Sequence, residues 1–272
     1  MPPLALHLQV FTILSGLVEE RAGLHYRPED LDLLRSKVSA RAEMLGFGAL
    51  LDYYYFLRYD ALGSPELDLL VECLVVHETY FFREGDQLRV LVDQLLVTRF
   101  QRNPPVRIWC AASATGEEVV TLTMMLADAG VLGKTRIVAT DISERALEQA
   151  RRNQFRGRAL RAMARNEPNR WLRREGERIF VDPALTASIE WKRVNLIDPA
   201  AVSALGQFDA VLARNVLIYF SDETVRRVVA SLSQALIPGG FLLVGAAESL
   251  LRYGTSLSCE EHGGAFFYRR IS

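Results

Sequence analysis

Residues 111–118 read AASATGEE, a run of small residues that lets backbone approach a ligand closely just before a helix begins. The run is not GxGxxG, and it carries acid where a dinucleotide site needs phosphate donors. Glu117 and Glu118 would repel a pyrophosphate, but they suit a ligand with an ammonium group, such as the methionine end of S-adenosylmethionine. An acidic first helical turn that complements the macrodipole accounts equally well for Glu118 and less well for Glu117. Farther on, TDIS (140–143) ends a second apolar run. Asp141 there is either an acceptor for ribose hydroxyls or the N-cap of a helix beginning near Ser143. ARNVLIYF (213–220) sets Arg214, Asn215 and Tyr219 in an apolar stretch. Buried polar groups cost roughly 1–3 kcal/mol if unpaired; core hydrogen bonding would account for one of the three, but all three together argue for a site. In VHETYFFRE (76–84) the aromatics are packing residues, whereas Arg83 beside them needs a partner or a task, since a guanidinium is seldom buried unpaired.

These residues have to be brought together by the elements that carry them. Over residues 4–100 apolar positions recur at helical spacing, with Leu8, Phe11, Leu14 and Val18 as one stripe and Leu31, Leu34, Val38 and Leu45 as another. Four or five short helices are predicted, broken near residues 23–28, 46–48 and 63–65, with Ser64 as an N-cap before Pro65. The character changes at Asn103-Pro104-Pro105. RIWCAA (107–112), RIVATD (136–141), IEWKRVN (189–195), FDAVLARN (208–215) and GFLLVGA (240–246) read as buried strands, separated by helices near 116–129, 143–153 and 222–236. That alternation implies a parallel sheet with right-handed crossovers, and its ligand belongs at the carboxyl ends of the strands. SLSCEE and AFFYRRI, joined by His262-Gly263-Gly264, predict a closing antiparallel hairpin; GERIFVDP followed by SIEWKRV is a second hairpin candidate.

The chain has 272 residues, half of them hydrophobic, which suits one large α/β domain and a smaller helical one. A formal net charge of −1 gives no global field toward nucleic acid or an anionic membrane. The three cysteines, Cys73, Cys110 and Cys259, are far apart and lack metal-ligand spacing, so no metal site is expected and a reducing cytoplasm is. No run reaches the roughly 18 apolar residues of a membrane span, so no membrane insertion is expected.

Taken together, HETYFFRE (77–84), IWCAASATGEE (108–118), ATDIS (139–143), VNL (194–196), LARNVLIYF (212–220) and IPGGFLLVGAAES (237–249) resemble, in order, the motifs of the CheR-type protein-glutamate methyltransferases. The resemblance implies an α/β, Rossmann-like S-adenosylmethionine-dependent methyltransferase sheet with a small β-subdomain, preceded by a small all-helical domain. The expected limits are 1–85 for the helical domain, 86–105 for a connecting helix and linker, and 106–272 for the methyltransferase domain, with the β-subdomain near 176–194. Carried across position by position, the cofactor-binding set is His77, Thr79, Arg83, Glu117, Asp141, Asn195, Leu196, Arg214 and Asn215, and the cofactor lies between the two domains. Arg83 and Tyr219 are the catalytic candidates, and Tyr219 matches the family tyrosine near the transferring methyl. The sequence departs from the family pattern at His77, often asparagine, at Ser113-Ala114, which reverses the familiar order, and at Ala246-Ala247, which replaces a His-Ser pair.

The implied reaction moves the sulfonium methyl of S-adenosylmethionine to glutamate carboxylates on the cytoplasmic region of a methyl-accepting receptor or related signalling protein, leaving S-adenosylhomocysteine. The β-subdomain lacks the glycine-rich loop of members that dock a receptor's C-terminal pentapeptide, so no such tether is expected, and a monomer is. Two other classes stand beside this reading. A nucleic-acid methyltransferase would share the cofactor fold and could use the arginines of residues 145–178, although no NPPY- or PC-type signature accompanies them and a solvated face or an acidic receptor bundle fits them as well. A non-catalytic cofactor- or partner-binding module is the other, and the intact Arg83, Asp141 and RNVLIY set opposes it.

Overall fold

Four amphipathic helices bury their apolar stripes against one another: α1 (Leu8–Ala22), α2 (Leu31–Met44), α3 (Leu50–Tyr59) and α4 (Gly63–Leu74). They are seen in a computed structural model that describes residues 3–102, 105–161 and 170–271. Phe11, Leu14, Val18, Leu34, Val38, Leu50, Tyr53, Leu57, Leu67 and Leu70 form their core, while the stripe ends Leu8 and Leu45 are exposed. Inside it the Arg41 guanidinium donates twice to Glu66 at 2.6 Å, and the Tyr53 hydroxyl donates to the same carboxylate at 2.7 Å. Residues 3–76 make one compact unit together with Tyr219–Thr224, which joins by a Leu24–Phe220 bridge and a bond from His25 N–H to the Tyr219 carbonyl.

Ser64 does not cap α4. The helix starts one residue earlier at Gly63, and the Asp60 carboxylate instead accepts the N–H of Leu62 at 2.9 Å. Glycine is required at that start because an added Cβ would sit 2.3 Å from the Phe56 carbonyl oxygen.

The second unit, His77–Ile218 with Val225–Ser272, is built on a sheet. Its chain runs through α5 (Gly85–Val90), a π-helical stretch (Leu91–Leu95), α6 (Val97–Arg102), β1 (Val106–Ala111), α7 (Glu117–Asp128), β2 (Thr135–Asp141), α8 (Glu144–Arg151), β3 (Gln154–Arg156), β4 (Leu172–Glu175), β5 (Arg178–Val181), α9 (Pro183–Thr186), β6 (Ile189–Arg193), α10 (Pro199–Ser203), β7 (Phe208–Ala213), α11 (Asp222–Gln234), β8 (Leu236–Val244), β9 (Ser258–His262) and β10 (Ala265–Arg269). Seven strands form one sheet in the order β6-β2-β1-β7-β8-β10-β9. The first five are parallel, as the apolar runs of β1, β2, β7 and β8 require, with the less buried β6 at the edge, and β10 closes antiparallel on β8 and β9. Gly263 and Gly264 both take positive φ, the two-residue turn that a right-twisted hairpin favours. Ile108, Cys110, Ile137, Leu212, Leu243 and Phe267 pack with Leu88 and Leu91 into the core.

The second hairpin candidate is corrected. GERIFVDP pairs backward, as β5 with β4 across Gly176 and with β3, in a separate three-stranded sheet. SIEWKRV instead supplies β6, paired parallel with β2, and α9 with its Pro183 start separates the two segments. Phe155 and Val181 of the small sheet pack on Phe81, Val120, Met124 and Leu185. The boundary residues Asn103 and Pro104, and Arg165 of the arginine-rich stretch, lie outside the described residues.

The close approach at Gly63 makes a measurable difference. Gly63→Ala should destabilise the fold by about 1–3 kcal/mol through overpacking. Gly16→Ala, on α1 with nothing within 4 Å of the added carbon, should stabilise by about 0.4–1 kcal/mol. Urea unfolding followed by circular dichroism reads both, and equal midpoints would contradict the packing at the α3–α4 junction.

Candidate active site

Strand order reverses between β1 and β7: the chain winds outward from β1 through β2 to β6, then returns to lay β7 and β8 on the other side. A crevice at their carboxyl ends is where such sheets bind ligands. Backbone strain collects in the segments that bear on this edge. Of the six described non-glycine residues with positive φ, Ala112 and Ala114 follow β1, Asn215 follows β7, and Phe82 and Glu84 flank Arg83. An alanine or phenylalanine in the left-handed region costs roughly 1–2 kcal/mol, so other contacts must hold it there.

At the β1 end those contacts come from β2. Ser113 N–H donates to the Thr140 carbonyl at 2.8 Å, and Ala114 N–H donates to Asp141 Oδ2 at 2.8 Å. Asp141 Oδ1 accepts the Ser143 N–H at 2.9 Å, while Ser143 Oγ accepts from Ala146 and is itself the α8 N-cap. The cap alternative for Asp141 therefore fails. This buried carboxylate stitches the small-residue loop to the second strand. Gly116, at φ 92°, has room for no Cβ, which would lie 2.9 Å from Ala150 and from Trp191. Val194 N–H donates to the Asp141 carbonyl oxygen at 2.9 Å, and Asn195 Oδ1 accepts the Ile197 N–H at 3.3 Å, placing Asn195 and buried Leu196 at the end of β6 beside β2.

Glu117 and Glu118 diverge. Glu117 is buried and takes a 2.6 Å bond from the Thr115 hydroxyl; burial pushes its carboxyl above the ordinary value. Glu118 meets Arg214 Nη1 at 2.7 Å, so its helix-dipole account is incomplete; burial raises its pKa and the Arg214 charge opposes that. Arg214, with 1% of its side chain exposed, also donates from Nη2 to the Arg83 carbonyl at 2.8 Å and to Glu84 Oε2 at 3.1 Å.

Two further carboxylates complete the edge, and neither stood out as a site residue in the sequence. Glu84 accepts the Ala246 N–H at 3.0 Å; burial works to raise its pKa, but that N–H, the Arg214 charge and the Arg214 and Asn215 side-chain donors hold it below the ordinary value. Glu248 accepts the backbone N–H groups of Asn215 and Gly245 at 2.7 Å each and of Ile218 at 3.2 Å. Burial raises its pKa against these donors. Glu84 ends HETYFFRE with no strand before it, and Glu248 is the fourth residue of GAAES, where an acid shortly after the apolar run of β8 was the one local signal.

The other predicted residues are less connected. Arg83 donates from Nη1 to the Glu78 carbonyl at 2.6 Å, with its guanidinium 5.7 Å from the Tyr80 ring centre. His77 and Thr79 are half-buried in the same segment. His77 Nε2, Ser113 Oγ and Arg214 Nε are buried without a hydrogen-bond partner among the described residues. Tyr219 groups by its contacts with the helical unit. The arginine-rich stretch is partly neutralised, since Arg151, Arg161, Arg170 and Arg173 pair with Glu144, Glu78, Asp128 and Glu175. Among the described residues no helix is long and apolar enough to cross a membrane.

Residues 77–262 match the family described as CheR methyltransferase, SAM binding domain. The chain is 30% identical to "Chemotaxis protein methyltransferase 2" of Vibrio cholerae, covering 86% of this chain and 83% of that protein. It is 31% identical to "Chemotaxis protein methyltransferase" of Vibrio parahaemolyticus, covering 89% and 90%. Among solved structures, the N-methyltransferase NodS from Bradyrhizobium japonicum in complex with S-adenosyl-L-homocysteine aligns at TM-score 0.43 and 15% identity over 72% of this chain and 90% of that one. The residues fit S-adenosylmethionine: Asp141 offers its carboxylate at the end of β2, Glu117 holds a buried carboxylate beside the small-residue loop, and Ser113 and His77 have polar atoms still to be satisfied.

Burial of Glu117 has a pH signature. Its folded pKa lies above the ordinary 4.5, so the stability it permits is complete below that value and is lost as pH rises through the raised one. Glu117→Gln should therefore raise the melting temperature of the cofactor-free protein at neutral pH, and the gain should vanish on acidification below about pH 4.5. A gain independent of pH, read by calorimetry across that range, would show that the Glu117 charge is not the cause.

Proposed function

The chain belongs to the CheR methyltransferase family and is an S-adenosylmethionine-dependent methyltransferase, and from that premise we propose that it esterifies glutamate side chains on a chemoreceptor or related signalling protein. The observation that carries the reading is the commitment of the edge carboxylates: Glu84 and Glu118 to Arg214, Asp141 and Glu248 to backbone N–H groups. An acceptor that arrives already nucleophilic suits such a site. A glutamate carboxylate, with a pKa of about 4.3, is ionised at neutral pH and needs no general base.

S-adenosylmethionine supplies an electrophilic methyl on a sulfonium when bound. Asp141 would accept from the ribose hydroxyls, Glu117 would face the methionine ammonium, and Asn195 and Leu196 would border the same ligand from the end of β6. His77, Thr79, Arg83, Arg214 and Asn215 complete the proposed set. As methyl passes to carboxylate, both reacting groups lose charge, so a cation clamped on the acceptor would favour the ground state over the transition state. Arg83 accordingly orients the acceptor, and Tyr219, a neutral donor, aligns the attacking oxygen. Positioning of this kind supplies roughly 7–11 kcal/mol in favourable intramolecular models. The partner is the cytoplasmic region of a methyl-accepting protein, reached without a pentapeptide tether and as a monomer.

Asp141→Ala should weaken cofactor binding by about 1–3 kcal/mol, read by calorimetry; unchanged affinity in a folded variant would leave Asp141 only its loop-stitching role. Tyr219→Phe should lower kcat about tenfold, roughly 1.4 kcal/mol of barrier, with cofactor affinity retained, and a wild-type kcat would reduce the tyrosine to a packing residue. Peptide mapping of a receptor's cytoplasmic fragment after methylation, with and without its C-terminal tail, tests the substrate. Methyl groups on glutamate in both fragments are expected; methyl on lysine would contradict the ester reading, and loss only with the tail removed would contradict untethered docking.

A further inference from the structure

Glu248 follows β8 by four residues, and its carboxylate faces donors alone. Oε2 accepts from Asn215 and Gly245, Oε1 accepts from Ile218, and Glu248 N–H donates back to the Gly245 carbonyl at 2.8 Å to close the turn. Asn215, held at 2.7 Å as Gly245 is, sits at φ 58°, outside the basin that a strand end would otherwise take. Gly245 packs so tightly against it that an added Cβ would lie 2.4 Å from Asn215 Nδ2 and 2.9 Å from Glu248 Oε2. An amide cannot replace this carboxylate cleanly, because one end of a glutamine would turn its own N–H groups toward backbone N–H groups.

We propose that Glu248 is a positioning residue: by holding the Asn215 N–H it fixes the left-handed conformation that presents Asn215 to the cofactor. The inference rests on the reading above that Asn215 meets S-adenosylmethionine. The Ile218 bond extends the same hold to the residue just before Tyr219.

A double-mutant cycle separates positioning from general support of the fold. S-adenosylhomocysteine is titrated by calorimetry into the wild type, Glu248→Gln, Asn215→Gly and the double variant; glycine tolerates positive φ, so Asn215→Gly removes the side chain without adding strain. Glu248→Gln should weaken binding about tenfold in the wild-type background and less than about twofold in the Asn215→Gly background. A tenfold loss in both backgrounds overturns the proposal, since Glu248 would then act independently of Asn215. Wild-type affinity in Glu248→Gln, with weakened binding in Asn215→Gly, overturns it alone. Wild-type affinity in Asn215→Gly overturns the premise that Asn215 meets the cofactor, and the proposal with it. If Glu248→Gln does not fold, Glu248→Asp, which keeps the charge but draws it back by one methylene, goes through the same cycle with the same expectations.

Discussion

A guanidinium almost wholly withdrawn from water, at the end of a central strand, organises the functional edge. Arg214 lies between Glu118 at the start of α7 and Glu84 at the start of α5, and it also takes the Arg83 carbonyl. Burying a charge of this kind is costly unless it is paired, and breaking such a pair by removing one partner costs about 3–5 kcal/mol. The three segments, separated by many residues in the chain, are therefore held in one arrangement. Glu84 passes the constraint to Ala246 after β8, and Glu248 in the same loop passes it back to Asn215 beside Arg214. The strained residues Glu84 and Asn215 are both members of this circuit.

The same circuit explains the chemical character of the crevice. A Gly-rich phosphate loop would collect N–H donors at the end of β1, whereas here Ala114 N–H is taken by Asp141 and the following helix opens with two acids. One acid is neutralised by Arg214. The other, Glu117, stays buried against a hydroxyl with its carboxyl pushed toward the neutral form. A cationic ligand group would relieve that cost, and S-adenosylmethionine carries both an ammonium and a sulfonium.

Much of the fold could be read from the sequence because its signals are local. Buried parallel strands are continuous apolar runs, and Gly263-Gly264 permits a tight hairpin whatever surrounds it. The failures occur where tertiary contacts decide. SIEWKRV alternates polar and apolar residues as a hairpin strand would, yet that alternation also suits β6, which lies at the sheet edge with one neighbour. Ser64 is a good cap by type, but the approach of α4 to the α3 carbonyls sets the helix start at Gly63. In the site, Asp141 and Arg214 could be singled out because each is polar at the end of an apolar run. Glu84 and Glu248 stood out less, since Arg214, which pairs with the first, is 130 residues away and Asn215, which the second holds, is 33 away.

The proposed ester formation at protein carboxylates has a direct test. The purified chain would be incubated with methyl-tritiated S-adenosylmethionine and protein from the native cell, treated with mild base, and the volatile methanol counted. Methyl esters release their label as methanol under these conditions, so volatile tritium that depends on the chain is the expected result. Label that stays on protein or nucleic acid through the base treatment would contradict the account.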